Sequence, residues 1–197
     1  WPVRTNAELN AILGKTLSYQ NKHKALFISD RSLNGVSYAS QTAPLANLLG
    51  RDWTTSQLSL DSYASGQAAT ARADIISQLE GGASLLSYYG HSAPASWSRE
   101  GLITASLVSG GLFNTVNQPF ATVQLGCWGT YFVEPTSTTV AHQMLLMPKG
   151  AAAVLGATSL TESNSDISLA NHLLPRLSST DLGDALVQAQ QAVANEL

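Results

Sequence analysis

One cysteine, Cys127, is the chain's entire supply of thiol chemistry. That excludes an internal disulfide framework and any metal site built from several cysteines. Charge is scarce as well. Asp, Glu, Lys and Arg make up 12% of the 197 residues, and the net charge of -3 leaves no electrostatic footprint for nucleic acid. No apolar run reaches the roughly 18 residues that a membrane span requires. The chain opens at Trp1 without a Met or a signal-type apolar segment, so the expectation is a piece excised from a longer protein. Internal repeats, linkers and low-complexity stretches are also missing. What remains is a chain with 44% apolar residues, enough for one domain with a sizeable core over residues 1–197 and too much for disorder. Its exterior must then rely on Ser, Thr, Asn and Gln.

The apolar residues are patterned. After a capping Thr5, Leu9, Ile12, Leu13 and Leu17 recur at helical spacing up to Tyr19. Inside that helix Gly14-Lys15-Thr16 resembles the tail of a phosphate-binding loop. It is rejected because Leu9 stands where the first Gly is needed and no strand precedes it. Short apolar runs at Lys24–Ser29 and Phe120–Leu125 read as buried strands, Ser84–Tyr89 as a further strand, Ser56–Leu60 as a weaker one and Lys149–Gly156 as a turn and small-residue strand. Between and after them, helices are predicted over 42–49, 66–79, 137–147, 168–177 and 182–196, while 102–111 is of uncertain type. Strands alternating with helices at this spacing predict an α/β fold: a mainly parallel sheet with helices on both faces, in three layers.

Polar groups stand at the carboxyl ends of three strands: Asp30, His91 and Cys127. In open parallel sheets this edge is where functional groups converge. A lone cysteine is ordinarily a small buried hydrophobe. A thiol becomes a nucleophile as thiolate, which a His on a neighbouring strand would favour. Asp30 would then fix the tautomer of His91 and stabilise its charged form, and the backbone N–H groups of Ser92 and Cys127 would hold an oxyanion. Asp30 equally reads as a cap or as a partner of Arg31. His23, His142 and His172 show no ligand-like spacing and read as surface or packing residues, so no metal or other cofactor is expected. A rival reading makes Ser92, in Gly90-His91-Ser92-Ala93-Pro94, the nucleophile of a serine hydrolase with Asp166 and His172 downstream. Against it, Pro94 replaces the second Gly and no helix follows the Ser.

In Pro2-Val-Arg-Thr with Glu8-Leu9 and Lys15 to Tyr19, in the strand ending at Asp30, in Leu86-Ser-Tyr-Tyr-Gly-His91 with Trp97, in Leu125-Gly-Cys127 with Phe132, and in Pro148 to Thr158, the chain resembles the catalytic part of the gingipain-type cysteine peptidases, family C25 of the caspase-like clan. The resemblance implies a caspase-like fold, a Cys127 nucleophile, a His91 general acid and base, and Asp30 as the acidic third member. It also implies protein or peptide substrates, with Trp97 and Trp128 at the substrate pocket. The parent protein would be bacterial and secreted or held at the cell surface, with flanking domains. Ser92 stands where the family has Gly, and Gly129 lies two residues after the Cys rather than three. No acidic residue occurs in Leu33–Gln41 to select a basic side chain, so a trypsin-like preference is not implied. These departures keep open a caspase-like module without proteolytic activity.

Overall fold

A computed structural model describes residues 3–134 and 136–196; Pro2 of the opening motif lies outside them. In chain order the elements are α1 (Asn6–Ser18), β1 (Lys24–Ser29), α2 (Tyr38–Ala46), β2 (Thr54–Ser59), α3 (Ala68–Glu80), β3 (Leu85–Tyr89), β4 (Ser92–Ala93), β5 (Ser96–Trp97), β6 (Ile103–Thr104), α4 (Ala105–Ser109), β7 (Phe120–Leu125), α5 (Val140–Leu146), β8 (Ala151–Gly156), α6 (Ser163–Leu173) and α7 (Leu182–Ala194). A five-stranded parallel sheet has the order β2-β1-β3-β7-β8.

Alternation along each strand splits the core in two. Leu26, Ile28, Leu86, Tyr88 and Phe120 face α3, α4 and α5, which contribute Ile75, Val108 and Met144. Ala25, Phe27, Leu85, Val123 and Leu125 face α2, α6 and α7, which contribute Leu45, Leu173 and Ala185. The expected three layers are therefore present.

Several boundaries move for local reasons. α2 begins at Tyr38, four residues before the expected start, because the Ser37 side chain accepts from the Ser40 N–H and caps the helix. The helix expected through Leu177 ends at Leu173 and continues as a 3-10 turn over Leu174–Ser178, where Pro175 cannot donate to the α ladder. A small antiparallel sheet, β4-β5-β6, was not foreseen. It grows from the chain that leaves β3, and it sits beside the site.

Lys15, in the rejected phosphate-loop motif, lies in the last turn of α1. It is 5% exposed, and its Nζ donates to the carbonyls of Met144, Leu145 and Met147. These belong to the carbonyls at the carboxyl end of α5 that the helix itself leaves unpaired. Burial lowers the Lys15 pKa to about 8, so the ammonium still carries its proton at neutral pH. The folded pKa lies below the unfolded one, so the unfolded chain binds more protons between about pH 8 and 10.5, and this group's contribution to stability rises with pH there. Lys15→Met is expected to lower unfolding free energy at pH 7 by about 1–3 kcal/mol and to remove that rise. Urea unfolding at pH 7 and pH 9.5 checks both; an unchanged midpoint at pH 7 would show that the three carbonyls find other donors.

Candidate active site

The register of the sheet brings the expected residues into one row. Ser29, Tyr89 and Leu125 are neighbours across β1, β3 and β7. One step further, the Asp30 N–H donates to Tyr89 O at 2.9 Å and the Gly90 N–H to Leu125 O at 3.2 Å. Asp30, Gly90 and Gly126 thus stand side by side at the carboxyl edge, with His91 and Cys127 one residue beyond. The sheet changes direction here too: from β1 the chain adds β2 on one side and β3 on the other, the switch point at which α/β sheets open a crevice.

Close approach of the backbones demands glycine at two positions. A Cβ on Gly90 would collide with Asp30 Cβ and lie 3.0 Å from both Asp30 Cγ and Tyr88 Oη. On Gly126 it would collide with Gly90 O and lie 2.8 Å from Ser92 Oγ. The two strand ends are stitched by Ser92 Oγ, which donates to Cys127 O at 2.6 Å.

Asp30 is almost fully buried, but its carboxylate does not orient the His91 ring. It accepts the His91 backbone N–H at 3.0 Å and the Arg31 N–H at 2.8 Å. Tyr38 Oη takes the expected place beside the imidazole, 3.1 Å from Nε2, with the two rings edge to face. Burial raises the Tyr38 pKa, helped by the negative charge of Asp30, so the hydroxyl keeps its proton at neutral pH. Tyr38 was missed because its signal, an aromatic at the first position of a helix capped by Ser37, reads as core.

Cys127 is half-buried, and its sulfur rests against a loop absent from the sequence-based site. The Thr161 N–H donates to Sγ at 3.4 Å, Thr161 O lies 3.6 Å away and Thr161 Oγ1 3.8 Å away. Oγ1 in turn donates to Asp166 Oδ2 at 2.9 Å. Desolvation raises the pKa of the buried Asp166 carboxyl. Among the described residues no hydrogen bond joins Cys127 to His91; each is held by a different partner.

The two tryptophans separate. Trp97, expected at a substrate pocket, has no exposed surface: it stacks on Tyr88 at 4.7 Å and donates Nε1–H to Gln124 Oε1 at 3.1 Å. It supports the floor under His91 and cannot touch substrate. Trp128 stays half-buried beside the thiol, with its N–H on Ser159 O at 2.9 Å and its ring edge to face with Tyr131. Its φ of 59° is left-handed, which costs a bulky residue about 1–2 kcal/mol. Ser92 begins β4, and the Ser98 N–H donates to His91 O at 2.8 Å. The antiparallel alternation then turns the next N–H, that of Ser92, away from β5.

A serine triad is not assembled. Ser92 leads into a strand rather than a helix, Asp166 is engaged by Thr161, and His172 Nε2 lies 2.8 Å from Glu196 Oε1 on the surface. His23 stacks on Trp53 and pairs with Asp52 at 2.6 Å. Among the described residues no group of three His, Cys, Asp or Glu side chains is placed to hold a metal ion.

The model of peptidase family C25 matches residues 1–196. The chain belongs to peptidase family C25. Three solved structures share the fold seen here. The complex of Porphyromonas gingivalis RgpB pro- and mature domains has a TM-score of 0.76 at 18% identity, covering 98% of this chain and 49% of that one. The Arg-specific cysteine proteinase gingipain R (RgpB) also gives 0.76, at 17% identity and the same coverages. A structure described as a protease gives 0.67 at 18% identity, covering 93% of this chain and 42% of that one. This C25 chain thus spans about half the length of those neighbours. No curated protein sequence matches it.

Proposed function

We propose that the chain is a cysteine endopeptidase in which Cys127 is the nucleophile and His91 the general acid and base. The observation that carries this reading is the adjacency of the two strand ends: Gly90 N–H on Leu125 O and Ser92 Oγ on Cys127 O join the strand end that bears the imidazole to the one that bears the thiol. The Cys127 thiolate attacks the carbonyl carbon of a peptide bond, forming the C–S bond and moving the carbonyl electron pair to oxygen. Ser92 N–H and Cys127 N–H hold that oxyanion. As the tetrahedral species collapses the C–N bond breaks, and protonated His91 gives its proton to the leaving amine. Water then attacks the thioester, His91 takes the proton from that water, the C–S bond breaks and the thiolate returns.

The Tyr38 hydroxyl engages Nε2 of the ring and leaves Nδ1 for the chemistry. A neutral His91 that donates Nε2–H to Tyr38 Oη keeps Nδ1 as the base. Asp30 acts through the His91 backbone, as a positioning residue. Trp128 borders the substrate cleft. The substrates are proteins or peptides, and the flanking domains and the secreted or cell-surface setting follow from the family resemblance; among the described residues no helix is long and apolar enough to cross a membrane.

Iodoacetamide labelling read by mass spectrometry tests the dyad. Cys127 is expected to alkylate at pH 6 at least about tenfold faster than an unperturbed thiol, with the gain lost in His91→Ala. Ordinary labelling in both proteins would remove the dyad from the mechanism.

A further inference from the structure

The mechanism above makes no use of the buried carboxyl of Asp166 or of the hydroxyl of Thr161, although the only thiol leans on them. Sγ meets the N–H, the O and the Oγ1 of one residue, at 3.4, 3.6 and 3.8 Å. Thr161 lies on the connection from β8 to α6, more than thirty residues from Cys127 in sequence, so this contact is made by the fold. The connection is fastened to the chain after β7 by Trp128 N–H on Ser159 O at 2.9 Å and Thr130 N–H on Ala157 O at 2.8 Å. It is fastened to α6 by Thr161 Oγ1 on Asp166 Oδ2 at 2.9 Å, and Asp166 is only 8% exposed.

The two backbone contacts of the sulfur oppose each other. As a thiol, Cys127 donates S–H to Thr161 O, and that carbonyl disfavours the thiolate. As a thiolate, it accepts the Thr161 N–H. A hydrogen bond to an ionised acceptor is about twice as strong as a neutral one, and S–H is a weak donor. The N–H contact is also the shorter of the two, 3.4 against 3.6 Å. Thr161 stands just before the N-terminus of α6, an 11-residue helix, whose dipole acts in the same direction. The ionisable groups around the thiol on the neighbouring elements are Tyr38 on α2, His91 after β3, and Asp166 with the exposed Glu162 at the start of α6.

We propose that Thr161, anchored by Asp166, is the positioning residue that fixes Cys127 Sγ and favours its thiolate. The inference rests on Cys127 being the nucleophile. The Asp166 carboxyl serves as acceptor rather than as charge: a hydroxyl donor needs only an oxygen there, and burial favours the uncharged form.

The test is the pH profile of Cys127 alkylation by iodoacetamide, measured with thermal unfolding on the intact chain. Thr161→Val removes the Oγ1 link while keeping size, and is expected to raise the midpoint by about one pH unit, which is about tenfold slower alkylation at pH 6. Thr161→Ser restores the hydroxyl and is expected to restore the profile. Asp166→Asn keeps an acceptor and should resemble the parent protein, whereas Asp166→Leu should resemble Thr161→Val. A parent-like midpoint in folded Thr161→Val and Asp166→Leu overturns the proposal while leaving Cys127 as nucleophile. An ordinary thiol midpoint in the parent protein overturns the functional reading beneath it. Should Asp166→Leu fail to fold, the Val and Ser variants at 161 decide alone.

Discussion

Cys127→Ala is expected to leave no measurable turnover of a broad peptide library, and His91→Ala to lower kcat by about 100- to 10,000-fold. The two losses have different origins. Without the sulfur no acyl-enzyme forms. Without the imidazole a thiolate can still form at high pH, but the leaving amine has no proton donor, so the residual activity of His91→Ala should climb with pH where that of the parent levels off. Both side chains are half-buried and each meets one residue of another element, His91 on Tyr38 and Cys127 on Thr161, so thermal unfolding should shift only modestly from that of the parent. Ser92→Ala provides the contrasting measurement: it loses the 2.6 Å link to Cys127 O but keeps the backbone N–H proposed for the oxyanion, so a partial loss is expected. Full turnover in Cys127→Ala with none in Ser92→Ala would transfer the chemistry to the serine.

What the sequence made legible follows from the range of the forces involved. The three central strands of the main sheet, β1, β3 and β7, are buried on both faces, so their apolar runs are continuous and stand out; Phe120–Leu125 is buried throughout, whereas the edge strand β2 is largely exposed. Once those strands were placed parallel, Asp30, His91 and Cys127 fell on one edge without further information. The direction of each side chain was not legible. Asp30 turned out to hold the backbone of His91 rather than its ring, because the Gly90 turn brings that N–H within 3.0 Å of the carboxylate. Tyr38 at the start of α2 touches His91, and Thr161 on the β8–α6 connection touches Cys127; both lie far away in the chain, and nothing in their local spacing announces it. The small sheet has strands of two residues, too short to show a period. Without that sheet Trp97, flanked by Ser96 and Ser98, reads as an exposed aromatic near a cleft, whereas Leu102 and Ile103 of the returning chain bury it in the core.

Gly90→Ala should be the most damaging single methyl in the molecule. The added carbon has no room: Asp30 Cβ is in its place, and Asp30 Cγ and Tyr88 Oη stand at 3.0 Å. These neighbours cannot yield cheaply. Asp30 is tied by its own N–H to Tyr89 O and by its carboxylate to the N–H groups of Arg31 and His91, and Tyr88 is wholly buried, stacked on Trp97 and donating to His91 O at 2.7 Å. The backbone angle of Gly90, φ 154°, adds to the strain on any L side chain. Overpacking in so constrained a place, with loss of hydrogen bonds around His91, is expected to cost about 3–5 kcal/mol, enough to leave little folded protein at 37 °C. The cause can be separated from a general intolerance of β3. Asp30→Gly removes the atom that collides, so the double variant Asp30→Gly, Gly90→Ala should unfold at higher urea than Gly90→Ala alone. It should not recover peptide turnover, because the His91 N–H then has no carboxylate to hold it. Gly90→Ala within about 0.5 kcal/mol of the parent would mean that the β3 turn moves freely, and the proposed placement of His91 beside Cys127 would lose its structural basis.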